Sequence, residues 1–258
     1  MAPVYADHPF PLVQTPRFRK GKDAELDIFD ECASAMASVH NVVLRGLNAI
    51  YLQARHVQPG DEKAFCAFIR HWHSIISLHH AAEEEDAFPM IEEMAGEKGI
   101  MDANIEQHHA FLGGLSELGR YAAECAAGRK RYDGRRVVEM IDEFGAELAG
   151  HLRDEIPAIE GLRRYGAEKM AGLRAVLDAE AERNKRQSSL ASLCVLLMSH
   201  DVNYEHGLWA DWPPLPAPVK FMCRSVLVPW YADMLRFAPS DKDGNLAPLY
   251  AVGREGDG

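Results

Sequence analysis

Leu78-His79-His80-Ala81-Ala82-Glu83 and Gly150-His151-Leu152-Arg153-Asp154-Glu155 decide how this chain folds. Each stretch sets an imidazole four residues before a carboxylate, inside a run whose apolar residues recur in steps of three and four. On a helix those steps mark one face, so His and Glu stand one turn apart on the side that is otherwise apolar. The seam through the first stretch reads Phe65, Ile69, Trp72, Ile76, His79, Glu83. The seam through the second reads Val137, Ile141, Phe144, Leu148, His151, Glu155, with Leu162 further on. Two more seams carry one histidine each. Leu26, Phe29, Ala33, Met36, His40, Val43, Leu47, Ile50 and Ala54 form one; Ile105, His108, Leu112, Leu115 and Leu118 form the other. Lone histidines thus alternate with His-x-x-x-Glu pairs, and the chain reads as two similar halves.

Working outward from the seams gives the element limits. The first helix runs over about residues 24–55 and stops near Pro59-Gly60. The second starts after Asp61, a candidate N-cap, and Pro89 ends or kinks it. The third covers about 101–127 and stops at Gly128; the fourth covers about 133–165. Short connections favour antiparallel neighbours, so the expected fold is all-α, an up-down-up-down four-helix bundle. Residues 1–22, with Pro3, Pro9, Pro11 and Pro16, read as an extended N-terminal arm; 23–166 form the bundle; 167–258 form a C-terminal extension packed on it. Within the extension, 167–186 reads as a charged, exposed helix and Ser188 to Met198 as a short apolar segment. Trp212-Pro213-Pro214-Leu215-Pro216 is rigid and non-helical, and Phe221 to Phe237 is a final aromatic helix.

A carboxylate inside an apolar seam is costly unless it is paired or bound to a metal. Neutral imidazole binds one metal terminally, and a carboxylate can bridge two. His40, His79, Glu83, His108, His151 and Glu155 therefore read as the ligands of a metal pair with open positions where dioxygen or peroxide could bind. Mixed nitrogen and oxygen donors without thiolate favour iron or manganese over a structural zinc. The bland alternative is real: His-x-x-x-Glu is a common exposed ion pair on helices. Four seams with four such histidines, two followed by glutamate, are much harder to obtain by chance. Two neighbours stay ambiguous. His80 follows His79, rotated by about 100° from it, and is either an added ligand or a group behind one. His109, beside His108, reads as exposed. Glu84 and Asp154 flank the proposed carboxylates as solvated or supporting groups.

The bulk numbers limit the other possibilities. The 258 residues allow one good core, and 47% hydrophobic with 26% charged residues is ordinary for a globular protein. A net charge of -11 disfavours non-specific binding to nucleic acid or anionic membranes. The basic group Arg129-Lys130-Arg131 with Arg135-Arg136 falls in a predicted loop and reads as solvated surface. Cys32, Cys66, Cys125, Cys194 and Cys223 are odd in number and form no C-x-x-C, as in a reducing compartment. The longest apolar run, Leu193 to Met198, is too short to span a bilayer. With no signal-peptide pattern at the start, the expected location is cytoplasmic. No phosphate-binding glycine motif or G-x-S-x-G elbow is present.

With these residues in place, the chain resembles the hemerythrin family, specifically the HHE cation-binding domain. His40-Asn41, His79-His80-Ala81-Ala82-Glu83-Glu84-Glu85 with Phe88-Pro89, Glu106-Gln107-His108-His109-Ala110-Phe111 and His151-Leu152-Arg153-Asp154-Glu155 carry the resemblance, over about residues 25–165. The arm and the Trp212-Pro213-Pro214 tail resemble extensions found in fungal members. The resemblance implies a four-helix bundle holding two iron ions joined by an oxo, hydroxo or water bridge. It also implies members that carry oxygen, sense oxygen or iron, or act on oxygen and peroxides. One position departs. Oxygen-carrying hemerythrins have two histidines four apart on the third helix, and here the position four after His108 is Leu112. Either His80 or water fills that place.

The leading expectation is a non-haem di-iron oxidoreductase that binds or activates dioxygen or peroxide, with a small molecule as candidate substrate. Non-enzymatic oxygen or iron binding, sensing or storage is the alternative. Trp209, Trp212, Phe221, Trp230 and Tyr231 in the tail either wall a substrate pocket or pack the tail on the bundle.

Overall fold

The computed structural model describes residues 2–252, and they fold as helices joined by short loops. Four long helices are α1 (Ile28–Gln53), α2 (Glu62–Ala82), α4 (Asp102–Ala126) and α5 (Gly134–Gly161). A short α3 (Phe88–Ala95) continues α2 after a wide turn, and α6 (Leu173–Gln187) and α7 (Leu190–Leu197) follow the bundle. The caps are local chemistry. The Asp27 side chain accepts from the Asp30 amide at the start of α1, and Asp133 accepts from the amides of Arg135 and Arg136 at the start of α5. Asp61 occupies the position before α2 but does not cap it. Its carboxylate instead accepts from Arg236 Nη2 at 2.8 Å, a charge-assisted bond that ties the tail to the bundle.

Cross-helix contacts fix the topology. Between α1 and α5 the pairs are Asp30 with Arg163, just past α5, then His40 with Leu152 and Tyr51 with Asp142. Numbers rise on one helix as they fall on the other, so the two are antiparallel. The same crossing order joins α4 to α5 through His108 with His151 and Glu117 with Arg136. On α1 and α2 it is Val43 with Trp72 and His40 with His79; on α2 and α4 it is His73 with Gly119 and His80 with His108. The chain therefore runs up-down-up-down, an all-α bundle as the seams predict. Close approach sets some residue choices. A Cβ on Gly46 would sit 2.3 Å from the Trp72 ring, whose Nε1 donates to the carbonyl of Val43 at 2.9 Å.

Helix α1 is buried on every side, and the arm and tail are the reason. Asn41, Arg45 and Asn48 would face solvent in a bare bundle. Here Asn41 pairs with both backbone groups of Val13, and Asn48 with Ala6 and Phe10. Arg45 is held by Asp7 (2.9 Å) and Asp201 (3.6 Å) and stacks over the Tyr204 ring. The arm is not uniformly extended: Pro16–Lys20 makes a helical turn that Thr15 caps. Glu205 then locks the arm to the tail, accepting from Thr15 N (2.7 Å), Thr15 Oγ1 (2.6 Å) and Trp209 Nε1 (2.8 Å).

Two sequence expectations for the tail are corrected. Helix α6 is not simply exposed, because Leu173, Val176 and Glu180 are buried on one stripe against the bundle. The single helix expected over 221–237 is instead broken. Ala217–Met222 leads through a wide π turn, Cys223–Leu227, into Val228–Trp230, and a separate turn forms at Ala232–Leu235. Pro229 is the cause, and the same device recurs at Pro89. A proline has no N–H for the carbonyl four residues back, and its ring presses on that carbonyl. In both places the helix widens just before the proline, at Glu83–Ala87 and at Cys223–Leu227.

Candidate metal centre

The six seam residues and His80 meet at one level of the bundle. His40 comes from α1, His79 and His80 from α2, Glu83 from the first position of the wide turn, His108 from α4, and His151 and Glu155 from α5. None is more than 3% exposed. They form two groups whose donor atoms lie within 4.8 Å of one another: His80, Glu83, His108 and His151, and His40, His79, Glu83 and Glu155. The first is the three-imidazole corner, with ring centroids of His80 and His108 4.3 Å apart and those of His108 and His151 4.4 Å apart. His80, ambiguous in the sequence, faces the same point as the others. Leu112 stays outside the group. His109 is exposed, as its rotation predicts.

Both carboxylates lie between the two groups. Glu83 Oε1 stands 3.2 Å from His79 Nε2, while Oε2 stands 3.5 Å from His108 Nε2. Glu155 Oε2 is 3.2 Å from His40 Nε2 and 3.8 Å from His151 Nε2. All four carboxylate oxygens, and Nε2 of His40, His79 and His80, are buried without a well-aligned hydrogen bond. So many unsatisfied polar atoms at one place are abnormal for a folded interior. They are what a cation would satisfy, and the donor set of five imidazoles and two carboxylates fits one.

The outer ring of contacts explains why Nε2 points inward. His40 Nδ1 lies 2.6 Å from the carbonyl of Leu152, His79 Nδ1 2.9 Å from Glu180 Oε1, His108 Nδ1 2.7 Å from Glu84 Oε1, and His151 Nδ1 3.1 Å from Gln107 Oε1. These partners accept only, so the proton belongs on Nδ1 and the lone pair on Nε2. Acceptors behind ligating imidazoles fix the ring and raise its basicity. His80 has no such acceptor; both its nitrogens are buried without one. Glu180 on α6 was not anticipated. Its signal was present, since Leu173, Val176 and Glu180 follow helical steps, but the charge of the surrounding helix hides the stripe. Glu84 does turn out to support one of the cluster imidazoles, His108, whereas Asp154 only pairs with Arg153 at the surface.

Burial shapes the protonation of the cluster. Desolvation pushes the Glu83 carboxyl well above its ordinary range, and the nearby charges of Glu155 and Glu180 push the same way. At Glu155 burial acts in the same upward direction, but His40, His151 and His79 outweigh it and hold the group at about 2. Burial also holds His80 well below its usual value, His108 below it, and His151 at about 3. His79 goes the other way, because its bond to Glu180 outweighs desolvation. Imidazoles that are neutral at pH 7 are in the form that binds a metal.

The five cysteines are buried, and none belongs to either group. Of the tail aromatics, Trp212 helps line a small cavity with His200 and Lys220, while Phe221 and Trp230 face solvent and do neither of the things expected of them. A larger cavity of about 240 Å³ lies between the arm and α5, lined by Phe10, Leu12, Val13, Ala146, Ala149 and Arg153, and by no member of the cluster. Among the described residues, no helix is long and apolar enough to cross a membrane.

Comparison with known proteins agrees with the geometry. The sequence profile of the hemerythrin HHE cation-binding domain matches residues 33–156, which contain all seven cluster residues. A curated relative, the dimeric xanthone biosynthesis cluster protein R11 of Cryptosporiopsis sp. (strain 8999), is 30% identical over 250 residues, covering 96% of this chain and 93% of the relative. No solved structure matches.

Proposed function

Since the chain belongs to the hemerythrin HHE cation-binding family, we propose that it is a non-haem di-iron protein that binds or activates dioxygen or peroxide as an oxidoreductase. One observation carries the reading. Four imidazoles are turned by outer acceptors so that their Nε2 atoms converge on two carboxylates that have no other well-aligned partner. In this reading His80, His108 and His151 would hold one ion, and His40, His79 and Glu155 would hold the other. Glu83 gives one oxygen to each side, and Glu155 Oε2 lies close enough to His151 to share. Manganese fits the same donors, and the absence of thiolate argues against a zinc structural site. A bound iron pair would supply redox chemistry toward oxygen species that no side chain here can supply.

The protein's own part is to hold, orient and exclude. Glu180, Glu84, Gln107 and the Leu152 carbonyl fix four rings. Phe88 stacks on His108 and Phe111 packs against His80, His108 and His151, keeping water away from one side. The name of the R11 relative refers to a biosynthesis cluster, which supports a setting in small-molecule synthesis for this chain too. The near-complete burial of the cluster favours a second reading, non-enzymatic binding, sensing or storage of oxygen or iron, because a small diatomic reaches such a site more easily than an organic substrate.

Metal content by plasma mass spectrometry tests the proposal, on protein purified without added metal or chelator, with an optical spectrum in air and after peroxide. About two irons per chain with near-ultraviolet charge-transfer bands is the expected result for a carboxylate-bridged pair. A folded protein that stays free of stoichiometric metal after anaerobic iron loading would overturn it. Peroxide decay or substrate oxidation above that of free iron then separates the enzyme from the binding protein.

A further inference from the structure

Helix α6 closes the loosest side of the bundle. The helices α1 and α2 touch each other less extensively than the other three neighbouring pairs of long helices, and α6 lies along both of them and along the wide turn at Glu83–Ala87. It runs back from α3 to α2. Gly172, before its first residue, faces Met94, whose sulfur would lie 3.0 Å from a Cβ there, and just past its end Ser192 meets His71 Nδ1 at 3.0 Å. Between these anchors Arg174 and Asp178 lie near Cys32 of α1, Glu180 meets the outward Nδ1 of His79, and Arg183 reaches Glu85 and Asp86 on the wide turn. Glu180 thus covers the side from which His79 enters the cluster.

The two halves of α6 are held differently. Its buried apolar side chains, Leu173 and Val176, are both in the first half, and no residue from 181 to 187 is buried. The second half is fastened by polar contacts. Arg183 pairs with Glu85 and Asp86, whose side chains are 64% and 52% exposed, and exposed ion pairs stabilise little. Asn184 Nδ2 reaches Glu180 Oε1 only at 3.4 Å, and its Oδ1 is buried without a partner, which works against the closed position. A segment with so little buried apolar surface opens before the rest of the chain does. The cluster needs such an opening, because none of its residues is more than 3% exposed. We propose that the second half of α6 is a strap that lifts off the wide turn and admits divalent cations to the centre through the groove between α1 and α2. Lifting withdraws Arg183 from Glu85 and Asp86 and leaves Glu83, Glu84, Glu85 and Asp86 as a run of carboxylates at the mouth, whose field draws a cation in. What passes rests on the metal reading; the opening itself does not.

Hydrogen exchange and histidine labelling of the metal-free full chain read the strap by itself. Anaerobic uptake and chelator-driven release of ferrous iron read what it passes. Amides in the second half of α6 should exchange about a hundredfold faster than those of α1, α2, α4 and α5. Arg183→Ala should speed diethylpyrocarbonate modification of His79 and His80, measured against the exposed His109, by about threefold to tenfold, the size expected for two exposed ion pairs. Its helical circular dichroism should be unchanged. Iron uptake and release should both rise by the same factor in this variant and leave the affinity unaltered, because the latch holds the metal-free and the metal-loaded chain alike. High salt should speed the wild type and not the variant. Arg136→Ala, which breaks a surface pair between α4 and α5, should change none of these rates. Amides of α6 protected as long as those of the bundle helices overturn the strap. So does Arg183→Ala that labels at the wild-type rate, or Arg136→Ala that speeds labelling equally. A chain that takes up no iron yet shows the expected exchange and labelling overturns the metal reading and upholds the opening.

Discussion

If the proposed centre holds two ions, replacing Glu180 with leucine should weaken one and leave the other nearly alone. Glu180 touches the centre through His79, whose Nδ1 it accepts at 2.9 Å while His79 Nε2 stands 3.2 Å from Glu83 Oε1. Loss of such a supporting contact costs about 10–100-fold in metal affinity, or roughly 1.4–2.8 kcal/mol. The upper end applies here. Glu180 is 6% exposed, and a buried charge-assisted bond is about twice as strong as a neutral one. Gln107 plays the corresponding part behind His151 in the other group with a neutral amide, so Gln107→Leu should fall at the lower end. The assay is anaerobic metal titration against a chelator of known affinity. Glu180→Leu should show one tight and one weakened ion, Glu180→Gln a smaller loss at the same ion, and Gln107→Leu a loss at the opposite one. Urea unfolding of the metal-free variants separates metal affinity from fold stability. Equal loss of both ions in either single variant, or unchanged affinity in Glu180→Leu, would refute the division into two groups.

Further outcomes follow from the same geometry. Glu83→Ala should lose both ions, because its two oxygens face different groups, whereas His40→Ala should retain the ion held by His80, His108 and His151; metal counts on the two variants check this. Gly46→Ala should destabilise the fold by about 1–3 kcal/mol, since its Cβ would overlap the Trp72 ring and α1 and α2 would have to separate; thermal melting reads the change. The metal-free protein should lose stability as pH falls from about 6.5 to 4.5. Burial holds His80, His108 and His151 below their ordinary values, so unfolding takes up protons there, while the raised Glu83 carboxyl already holds one in the native state. Burial lowers His71, His73 and His200 as well, so unfolding takes up more protons than Glu83 releases and stability falls toward acid. Urea midpoints that stay flat or rise over this interval would contradict the neutral state of these imidazoles.

The bundle and its centre were legible because burial and polarity conflict in the seams. His40, His108 and the two His-x-x-x-Glu pairs occupy positions where every other residue is apolar, and a helix of known pitch projects them to one level. Glu180 was not legible in the same way. It belongs to a helix rich in charge, and its contact with His79 spans 101 positions, so no local pattern announces it. His80 stayed ambiguous because it is a neighbour on the wheel. Seam register ranks it second to His79, and only the inward-facing positions of His108 and His151 show that the corner has room for a third ring. The outer row Asn41, Arg45 and Asn48 reads as solvent-facing for a similar reason, since its partners Val13, Ala6, Phe10 and Asp7 lie in a segment with no periodicity. Pro229 lies inside the stretch whose aromatic pattern reads as one helix. The wide turns that accommodate Pro89 and Pro229 depend on backbone geometry that no spacing rule encodes.

The latch between Thr15 and Glu205 joins residues 190 positions apart. During synthesis, contacts that distant in sequence must wait for their second half. By the time α5 has been made, all seven cluster residues exist and the four long helices can pair. The arm, made before the bundle, can rest on α1 and α5 through Ser34, Asn41, Arg45, Asn48, Tyr51 and Glu160, but its lock at Thr15 closes only when Glu205 and Trp209 follow. The beginning of this chain is therefore among the last parts to be fixed in place, and ribosome-bound fragments of increasing length should acquire helix pairing well before the arm becomes resistant to protease.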